Sequence, residues 1–270
     1  MHGATRSVRA VLLVHGFGDT PQTLAALAAD LHAHGYDVRV PLLPGHGRTL
    51  AAFDASTHEE WIACVASELL ALRADYPWVG LAGLSMGGAL SAIVAATMRD
   101  LPALVLMAPY LGMPRIMRMA ARTARLWSRW VGPIASESPE SIHDVQEREK
   151  NLSYGAVTGH ALHELSVVVR MAQRALPRII APTLLVQSRH DNRIPLRVAE
   201  HAYARLGTSR KQLMITELGG HILTVDVGRA AVFAAVRAWL EGGPGTIPST
   251  PDTVGARTAA APTAGTSRSA

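Results

Sequence analysis

Short apolar runs alternate along the chain with segments of helical periodicity. The runs at 9–15, 79–84 and 103–108 contain almost no polar residues, which is typical of strands buried on both faces. Further strands are predicted at 36–43, 183–187 and 212–217. Helices are predicted at 20–34, 57–75, 88–99, 160–176, 196–206 and 227–240. This order predicts an α/β fold, with a mostly parallel central sheet and helices on both faces.

Helix boundaries are marked by capping residues at two places. Thr20 precedes Pro21, which suits an N-cap residue followed by the first helical position, and Gly35 is placed to end the same helix. Thr57 and Glu60 have the spacing of a capping box, which predicts the start of the second long helix.

The alternation breaks between residues 110 and 160, a polar, basic stretch that also carries methionine and tryptophan. Within it, 115–130 has helical spacing and 136–150 suggests a helix plus a turn. We therefore expect a core made of 1–109 and 161–241, with 110–160 inserted as a small helical cap. Residues 242–270 are dominated by Gly, Pro, Ser, Thr and Ala, which predicts a disordered tail.

Composition narrows the class of protein. Hydrophobic residues make up 49% of the 270 residues and charged residues 17%, enough for a sizeable core. The net charge of +5 comes from arginines spread along the chain, without the aromatic interleaving of a nucleic-acid-binding surface, so no nucleic-acid partner is expected. No metal-ligand cluster, dinucleotide motif or P-loop is present, so no metal and no cofactor are predicted. The single cysteine, Cys64, is expected to be a buried apolar residue.

The chain shows neither a signal-peptide pattern at its start nor an apolar run long enough to span a bilayer. We therefore expect a cytoplasmic protein without stable membrane insertion.

The segment Gly83-Leu-Ser85-Met-Gly87 lies between a predicted strand and a predicted helix. G-x-S-x-G in that context is the signature of a nucleophile elbow, a sharp turn that exposes the serine hydroxyl. A serine hydroxyl needs a base to remove its proton and an acid to hold the base. Asp191 and His221 each follow a late predicted strand, in the order Ser, acid, His that this arrangement requires. Ser85, Asp191 and His221 are therefore the predicted catalytic residues.

Other candidates fit these roles less well. His46 lies in a loop, where shaping the loop is the more ordinary role, while His160 and His163 lie on an amphipathic helix. Asp226 follows His221 and is expected to cap the last helix. For Asp191 itself, a turn-forming role before Asn192 remains an alternative.

Two backbone N–H groups are needed to stabilise the oxyanion of an acyl-transfer intermediate. One is that of Met86, which follows the serine, and the other should come from the loop after the first strand. Phe17, in His15-Gly-Phe-Gly18, is the predicted second donor.

Five segments resemble the α/β-hydrolase superfamily, and more narrowly bacterial carboxylesterases and the related bacterial monoacylglycerol lipases. They are His15-Gly-Phe-Gly18, Pro44-Gly-His-Gly47, Gly83-Leu-Ser-Met-Gly-Gly88, the run 181–191 ending in Ser-Arg-His-Asp, and Gly220-His-Ile-Leu-Thr-Val-Asp226. They appear in the family's order between about residues 9 and 241. The resemblance implies an α/β-hydrolase fold, a cap after the strand that ends near Ala108, the triad, and an oxyanion hole at Phe17 and Met86.

The expected activity is hydrolysis of carboxylic esters with short- to medium-chain acyl groups through an acyl-enzyme on Ser85, with monoacylglycerols among the candidate substrates. The expected partner is thus a small-molecule ester, and the oligomeric state is left open. Five apolar side chains are candidates for the substrate pocket: Met113, Met117, Trp127, Trp130 and Ile222. Packing of the cap on the core explains the cap residues among them equally well.

Alternatives with the same triad are a thioesterase, an acyltransferase or a C–C bond hydrolase. A non-enzymatic ligand-binding member is a third class, which the complete triad disfavours.

Overall fold

A computed structural model describes residues 7–246, apart from 129 and 137 and the side chain of Arg125. The tail predicted to be disordered lies outside the described residues from 247 onward. The central sheet has six parallel strands in the order β2-β1-β3-β4-β7-β8, and β5 and β6 form a separate antiparallel pair. The strands are β1 (Arg9–Val14), β2 (Asp37–Arg39), β3 (Trp78–Leu84), β4 (Leu104–Met107), β5 (Ile134–Ala135), β6 (Ala156–Val157), β7 (Thr183–Ser188) and β8 (Lys211–Thr216).

Helices cover both faces of this sheet, as the alternation predicted. They are α1 (Ala25–Ala33), α2 (Leu50–Asp54), α3 (His58–Asp75), α4 (Met86–Ala95), α5 (Arg115–Trp127), α6 (Val145–Glu149), α7 (Gly159–Ala175), α8 (Leu196–Arg205) and α9 (Arg229–Gly242). Side chains of α1 and α9 pack on one face of the sheet, whereas those of α3, α4, α7 and α8 pack on the other. Burial of apolar area in these two layers is the main stabilising contribution to the fold. None of the helices described here is both long and apolar enough to cross a membrane.

The predicted helix-capping residues cap their helices as expected. The Thr57 side chain accepts the backbone N–H of Glu60, and the Glu60 side chain accepts that of Thr57. Thr20 caps a short 3₁₀ turn, Pro21–Leu24, that precedes α1. Gly35 ends the α1 segment with a φ of +84°, a conformation that glycine adopts without steric cost.

Two elements of the core are shorter than predicted. The strand predicted at 36–43 is limited to Asp37–Arg39, because Pro41 and Pro44 have no N–H for a ladder and the N–H of Leu43 is donated to His15 Nε2. The helix predicted to reach 99 ends at Ala95, where the N–H groups of Thr97 and Met98 turn back to carbonyls three residues earlier.

The segment between β4 and α7 forms the small helical cap. Its longest helix, α5, packs on α7 through buried Ala121 and Ala124, and His163 Nδ1 lies 3.1 Å from the Ala121 carbonyl oxygen. The helix predicted at 115–130 ends earlier, at Trp127. His160, at the start of α7, is half-exposed beside Glu164.

Candidate active site

Ser85 occupies a strained turn between β3 and α4. Its φ of 55° and ψ of −118° are unusual for a residue with a Cβ. The turn is held on both sides: the Ser85 N–H is donated to the Met107 carbonyl oxygen at 2.9 Å, and the Ser85 carbonyl oxygen accepts the Tyr110 N–H at 2.9 Å. The hydroxyl therefore lies at the carboxyl edge of the sheet, where α/β folds place their sites.

Gly83 and Gly87 are required by the close approach of the backbone around this turn. A Cβ on Gly87 would lie 2.1 Å from the carbonyl oxygen of Val14, and one on Gly83 would lie 2.3 Å from that of Gly87. Both distances are far inside van der Waals contact, so the elbow forms only with glycine at these positions.

The structure brings the three predicted catalytic side chains together. His221 Nε2 lies 2.8 Å from Ser85 Oγ, and His221 Nδ1 lies 2.8 Å from Asp191 Oδ2. Asp191 follows β7 and His221 follows β8, neighbouring strands whose carboxyl ends are aligned by the pairing of Ser188 with Thr216. All three residues are largely buried. This is the geometry that activates a hydroxyl as a nucleophile.

The Asp191 carboxylate is held by several donors. Oδ1 accepts the N–H groups of Arg193 and Ile194, each at 2.8 Å, and Oδ2 also accepts from Gln187 Nε2 at 2.8 Å. Burial alone would raise the pKa of Asp191, but the charge and hydrogen bond of His221 and the two backbone N–H groups keep that pKa below its usual range. Asp191 thus both shapes its turn and contacts His221, so the two alternatives for this residue coexist.

The loop that carries His221 is fixed to the cap. The N–H groups of His221 and Ile222 are both donated to the carbonyl oxygen of Ser141, at 2.9 and 3.0 Å. A Cβ on Gly220 would lie 2.3 Å from the Glu140 carbonyl oxygen, so the two segments are in close contact. The cap therefore takes part in positioning the histidine.

Asp226 does not cap the last helix, contrary to the prediction. The N-cap of α9 is Gly228, and the buried Asp226 carboxylate instead accepts the N–H groups of Gly220, His143, Asp144 and Val227. Burial tends to raise the pKa of Asp226, but these four donors lower it below the usual value. The carboxylate thus ties the His221 loop to the cap.

The loop after β1 lies beside Ser85 because Val14 pairs with Gly83 in the sheet. A Cβ on Gly16 would lie 3.5 Å from that of Ser85, so the backbone that leads to Phe17 is adjacent to the serine. The Phe17 ring packs edge-on against Phe53 with centroids 4.9 Å apart. The candidate donors are thus placed by a packed loop and, for Met86, by the start of α4.

Two buried histidines shape this region. His15 Nε2 accepts the Leu43 N–H at 3.1 Å, which leaves Nδ1 to donate to the Gly16 carbonyl oxygen at 3.0 Å. Burial, helped by His46, lowers the pKa of His15 to about 3. Burial also lowers the pKa of His46 to about 4, although its hydrogen bond to the Pro44 carbonyl opposes the shift. Both rings are therefore neutral at physiological pH, and their bonds hold the loops around the site.

A cavity of about 400 Å³ opens at Ser85 and His221. Of the five predicted pocket residues, Met117 and Ile222 line it. Met113, Trp127 and Trp130 lie outside its lining: Met113 and Trp127 pack against the core, and Trp130 is 87% exposed. The helical spacing of α5 identified an amphipathic helix but not which side of it faces the site.

Sequence reasoning missed other residues that line the cavity. Leu162 and Leu165 of α7 and Val157 form part of its apolar wall, although α7 was predicted only to return to the sheet. Asp19, a residue that is 5% exposed, also lines the cavity. Burial raises the pKa of Asp19 to about 6, against the lowering effects of Thr23 and Thr20, which hydrogen-bond to the carboxylate at 2.7 and 2.8 Å.

Two other groups in the described part of the chain are weaker candidates for a functional site. His58, Glu59 and Glu164 lie close enough to share an ion, but His58 already contacts both carboxylates and the trio is absent from the cavity lining, so it links α3 to α7. Cys64 is half-buried against the core, and burial raises the pKa of its thiol, which does not suit a nucleophile.

The sheet, the serine elbow and the cap define an α/β-hydrolase. The structure is similar to a solved structure from work on LipS and LipT, two metagenome-derived lipolytic enzymes. The TM-score is 0.80 and the identity 27%, over 88% of this chain and 95% of that one. A monoglyceride lipase variant from Saccharomyces cerevisiae shares the fold at a TM-score of 0.75 and 16% identity, over 89% of this chain and 88% of the other.

Sequence comparison gives the family. The chain is 30% identical to a carboxylesterase of Bacillus subtilis (strain 168), covering 86% of this chain and 92% of the relative. It is 28% identical to a thermostable monoacylglycerol lipase of Bacillus sp. (strain H-257), covering 80% and 84%. A sequence model of the family Hydrolase_4, described as "Serine aminopeptidase, S33", matches residues 5–227, and the chain belongs to this family. The resemblance inferred from the five segments is confirmed.

Proposed function

We propose that the protein is a carboxylic ester hydrolase that acts through an acyl-enzyme on Ser85. The observation that carries the proposal is the continuous hydrogen-bond chain from Ser85 Oγ through His221 to the Asp191 carboxylate. The names of the two Bacillus relatives support ester hydrolysis as the reaction class.

In the proposed mechanism, Ser85 Oγ attacks the ester carbonyl carbon while its proton passes to His221 Nε2. Asp191 accepts a hydrogen bond from the Nδ1–H of His221, which fixes the tautomer and stabilises the imidazolium. The N–H groups of Met86 and Phe17 stabilise the oxyanion, a contribution of about 3 kcal/mol for each donor of this kind. His221 then gives the proton to the leaving alcohol. In the second half-reaction it activates the water that hydrolyses the acyl-enzyme.

We propose short- to medium-chain acyl groups for the substrate, with monoacylglycerols among the candidates, and the size and lining of the cavity support this proposal. Its volume of about 400 Å³ lies in the usual range for small-molecule sites. Met117, Val157, Leu162 and Leu165 supply apolar area for an acyl chain. In this proposal, residues 110–160 act as a cap that sets substrate preference on the core formed by 1–109 and 161–241.

The proposal is tested with Ser85→Ala and a series of p-nitrophenyl esters of increasing chain length. Triad members act as a unit, so we expect kcat/KM to fall by roughly 10⁴-fold or more while the fold is retained. Ser91→Ala is a matched control, because Ser91 Oγ is buried on the following helix without a hydrogen-bond partner among the described residues. It should keep the activity.

A serine-directed phosphonate should label the wild-type chain at Ser85 alone. Retained hydrolysis in Ser85→Ala, or labelling at another residue, would overturn the assignment. Thioesters tested beside the oxygen esters separate the thioesterase alternative, since a preference for them would change the substrate class without changing the triad.

A further inference from the structure

Part of the cavity wall is polar and basic, which an uncharged acyl chain does not require. Two arginines, Arg148 and Arg193, line it, together with Ser136, Ser138, Ser141 and Asn151. Charged side chains are expensive to hold in a partly enclosed site unless they have a partner. The arginines therefore indicate a second feature of the substrate beyond its ester bond.

Arg193 is held rigidly at this wall. Its Nε is donated to Ser141 Oγ at 3.1 Å, and its Nη2 is donated to the carbonyl oxygen of Ser136. Its backbone N–H is donated to Asp191, so the residue is anchored at both ends. The acceptors of the guanidinium are neutral, and its positive charge is left uncompensated by them. A guanidinium with N–H groups to spare is a preorganised binding site for an oxyanion.

Arg148 is placed in the same way. Its Nη1 contacts the carbonyl oxygens of Pro139 and Ile142 at 3.1 and 3.4 Å. The neighbouring acid Glu147 is paired instead with Lys150, at 3.1 Å. Among the described residues, which exclude 137, no carboxylate lies within 4 Å of either guanidinium.

The basic wall is close to the reacting groups. The same Ser141 whose hydroxyl accepts from Arg193 also accepts, through its carbonyl oxygen, the N–H groups of His221 and Ile222. Among the described residues that line the cavity, Asp19 alone carries a carboxyl group, and that group is already bonded to Thr20 and Thr23. Two fixed positive charges thus face one partly compensated acid across the cavity.

We propose that the ester substrate carries a second, anionic group that Arg148 and Arg193 bind while Ser85 attacks the ester carbonyl. This inference rests on the proposed ester hydrolysis and adds a substrate class to it: acidic esters. The anion is an oxyanion, a carboxylate or a phosphate, attached on either the acyl or the alcohol side of the scissile bond. Guanidinium groups bind both with paired, charge-assisted hydrogen bonds.

Two matched pairs of substrates test the proposal. On the acyl side, p-nitrophenyl butyrate is compared with the mono-p-nitrophenyl ester of glutaric acid, which carries a free carboxylate. On the alcohol side, 1-butyrylglycerol is compared with 1-butyrylglycerol 3-phosphate. We expect kcat/KM to be higher for the anionic member by roughly tenfold or more in one pair, as for a charge-assisted hydrogen bond. The preference should shrink as salt is added.

The variants Arg148→Gln, Arg193→Gln and their combination should remove this preference: kcat/KM should fall at least about tenfold more for the anionic member of the pair than for its neutral partner, as expected for the loss of one charge-assisted contact. Arg189→Gln is the matched control, because Arg189 lies on the same loop but pairs with Glu217 at 2.7 Å and does not line the cavity. It removes the same charge and should keep the preference. Arg193→Lys, which keeps the charge but loses the planar fork, should retain part of it.

The proposal is overturned if wild type shows no anionic preference in either pair, or if the glutamine variants lower both members of a pair equally. The second result would mean that the arginines only support the wall. If Arg193→Gln does not fold, Arg148→Gln alone decides. Whether the protein hydrolyses esters through Ser85 at all is tested separately, by Ser85→Ala and by labelling with the phosphonate.

Discussion

Replacing Asp226 by asparagine tests the link between the cap and the histidine loop. One carboxylate oxygen, Oδ2, accepts the Gly220 N–H at 2.6 Å, and the other, Oδ1, accepts those of Asp144 and Val227 at 2.8 and 2.7 Å. The His143 N–H lies 2.9 Å from both. An amide keeps one acceptor oxygen and places an NH₂ group where the other was. At least one buried N–H then faces a donor.

The cost follows from this geometry. An unsatisfied buried donor costs about 1–3 kcal/mol, and bonds to a charged acceptor are worth more than neutral ones. We therefore expect Asp226→Asn to lower the free energy of unfolding by about 2–5 kcal/mol, a large part of the 5–15 kcal/mol typical of a domain. Because Gly220 adjoins His221, kcat/KM measured with p-nitrophenyl butyrate should fall as well.

Urea unfolding at pH 7 measures the loss, with Asp100→Asn as a control at an exposed carboxylate that pairs with Arg73. The pH dependence adds a second readout. Since the pKa of Asp226 is depressed in the folded state, its stabilising contribution is present above the usual carboxyl pKa and is lost as pH falls through the folded value. The difference between variant and wild type should therefore narrow toward low pH. Stability within 0.5 kcal/mol of wild type at pH 7 would refute the role assigned to Asp226.

Three further predictions concern the nucleophile, the triad and the buried acid. Gly87→Ala should fail to give folded protein, whereas Gly132→Ala, where a Cβ meets nothing within 4 Å, should be tolerated; a normal circular dichroism melt for Gly87→Ala would contradict the packing argument. Asp191→Asn should lower kcat by about 10⁴-fold, since the amide favours the wrong tautomer of His221; a loss of tenfold or less in steady-state rates would argue against the triad. The pKa of Asp19 is raised to about 6, so this group lowers stability as pH rises from about 4 to about 6, by up to about 3 kcal/mol. Asp19→Asn should therefore gain stability relative to wild type between pH 4 and pH 8 in urea unfolding, and a difference that does not change with pH would disprove the assignment.

Much of the architecture was predictable because local signals coincide with the global fold. Strands made almost entirely of apolar residues, such as Arg9–Val14 and Leu104–Met107, are expected where both faces of the sheet are buried, and this indicates a parallel sheet between two layers of helices. Ser85, Asp191 and His221 could be placed because each follows a strand, and parallel strands deliver such residues to one edge of the sheet.

The residues that line the cavity could be predicted only in part. Its polar wall comes from irregular segments around Ser136 and Asn151, which have no periodicity to assign a facing direction. On α5, periodicity separates two faces but does not say which one meets α7, and Trp130 proved to be exposed. The position of Asp226 suggested a helix cap, but its backbone partners His143 and Asp144 lie more than eighty residues earlier.

The bonds of Ser141 and Asp226 also limit how the cap can move. Residues 141–144 cannot swing away from the core without withdrawing the carbonyl oxygen that holds His221 and the N–H groups that satisfy Asp226. The side of the cap built on α5 makes no such bond to the His221 loop within the described residues. The cap is therefore bonded to the His221 loop along one side, while its other side, α5, is attached to the core through its packing on α7. Any rearrangement that leaves residues 141–144 in place leaves the backbone hydrogen bonds of the His221 loop intact.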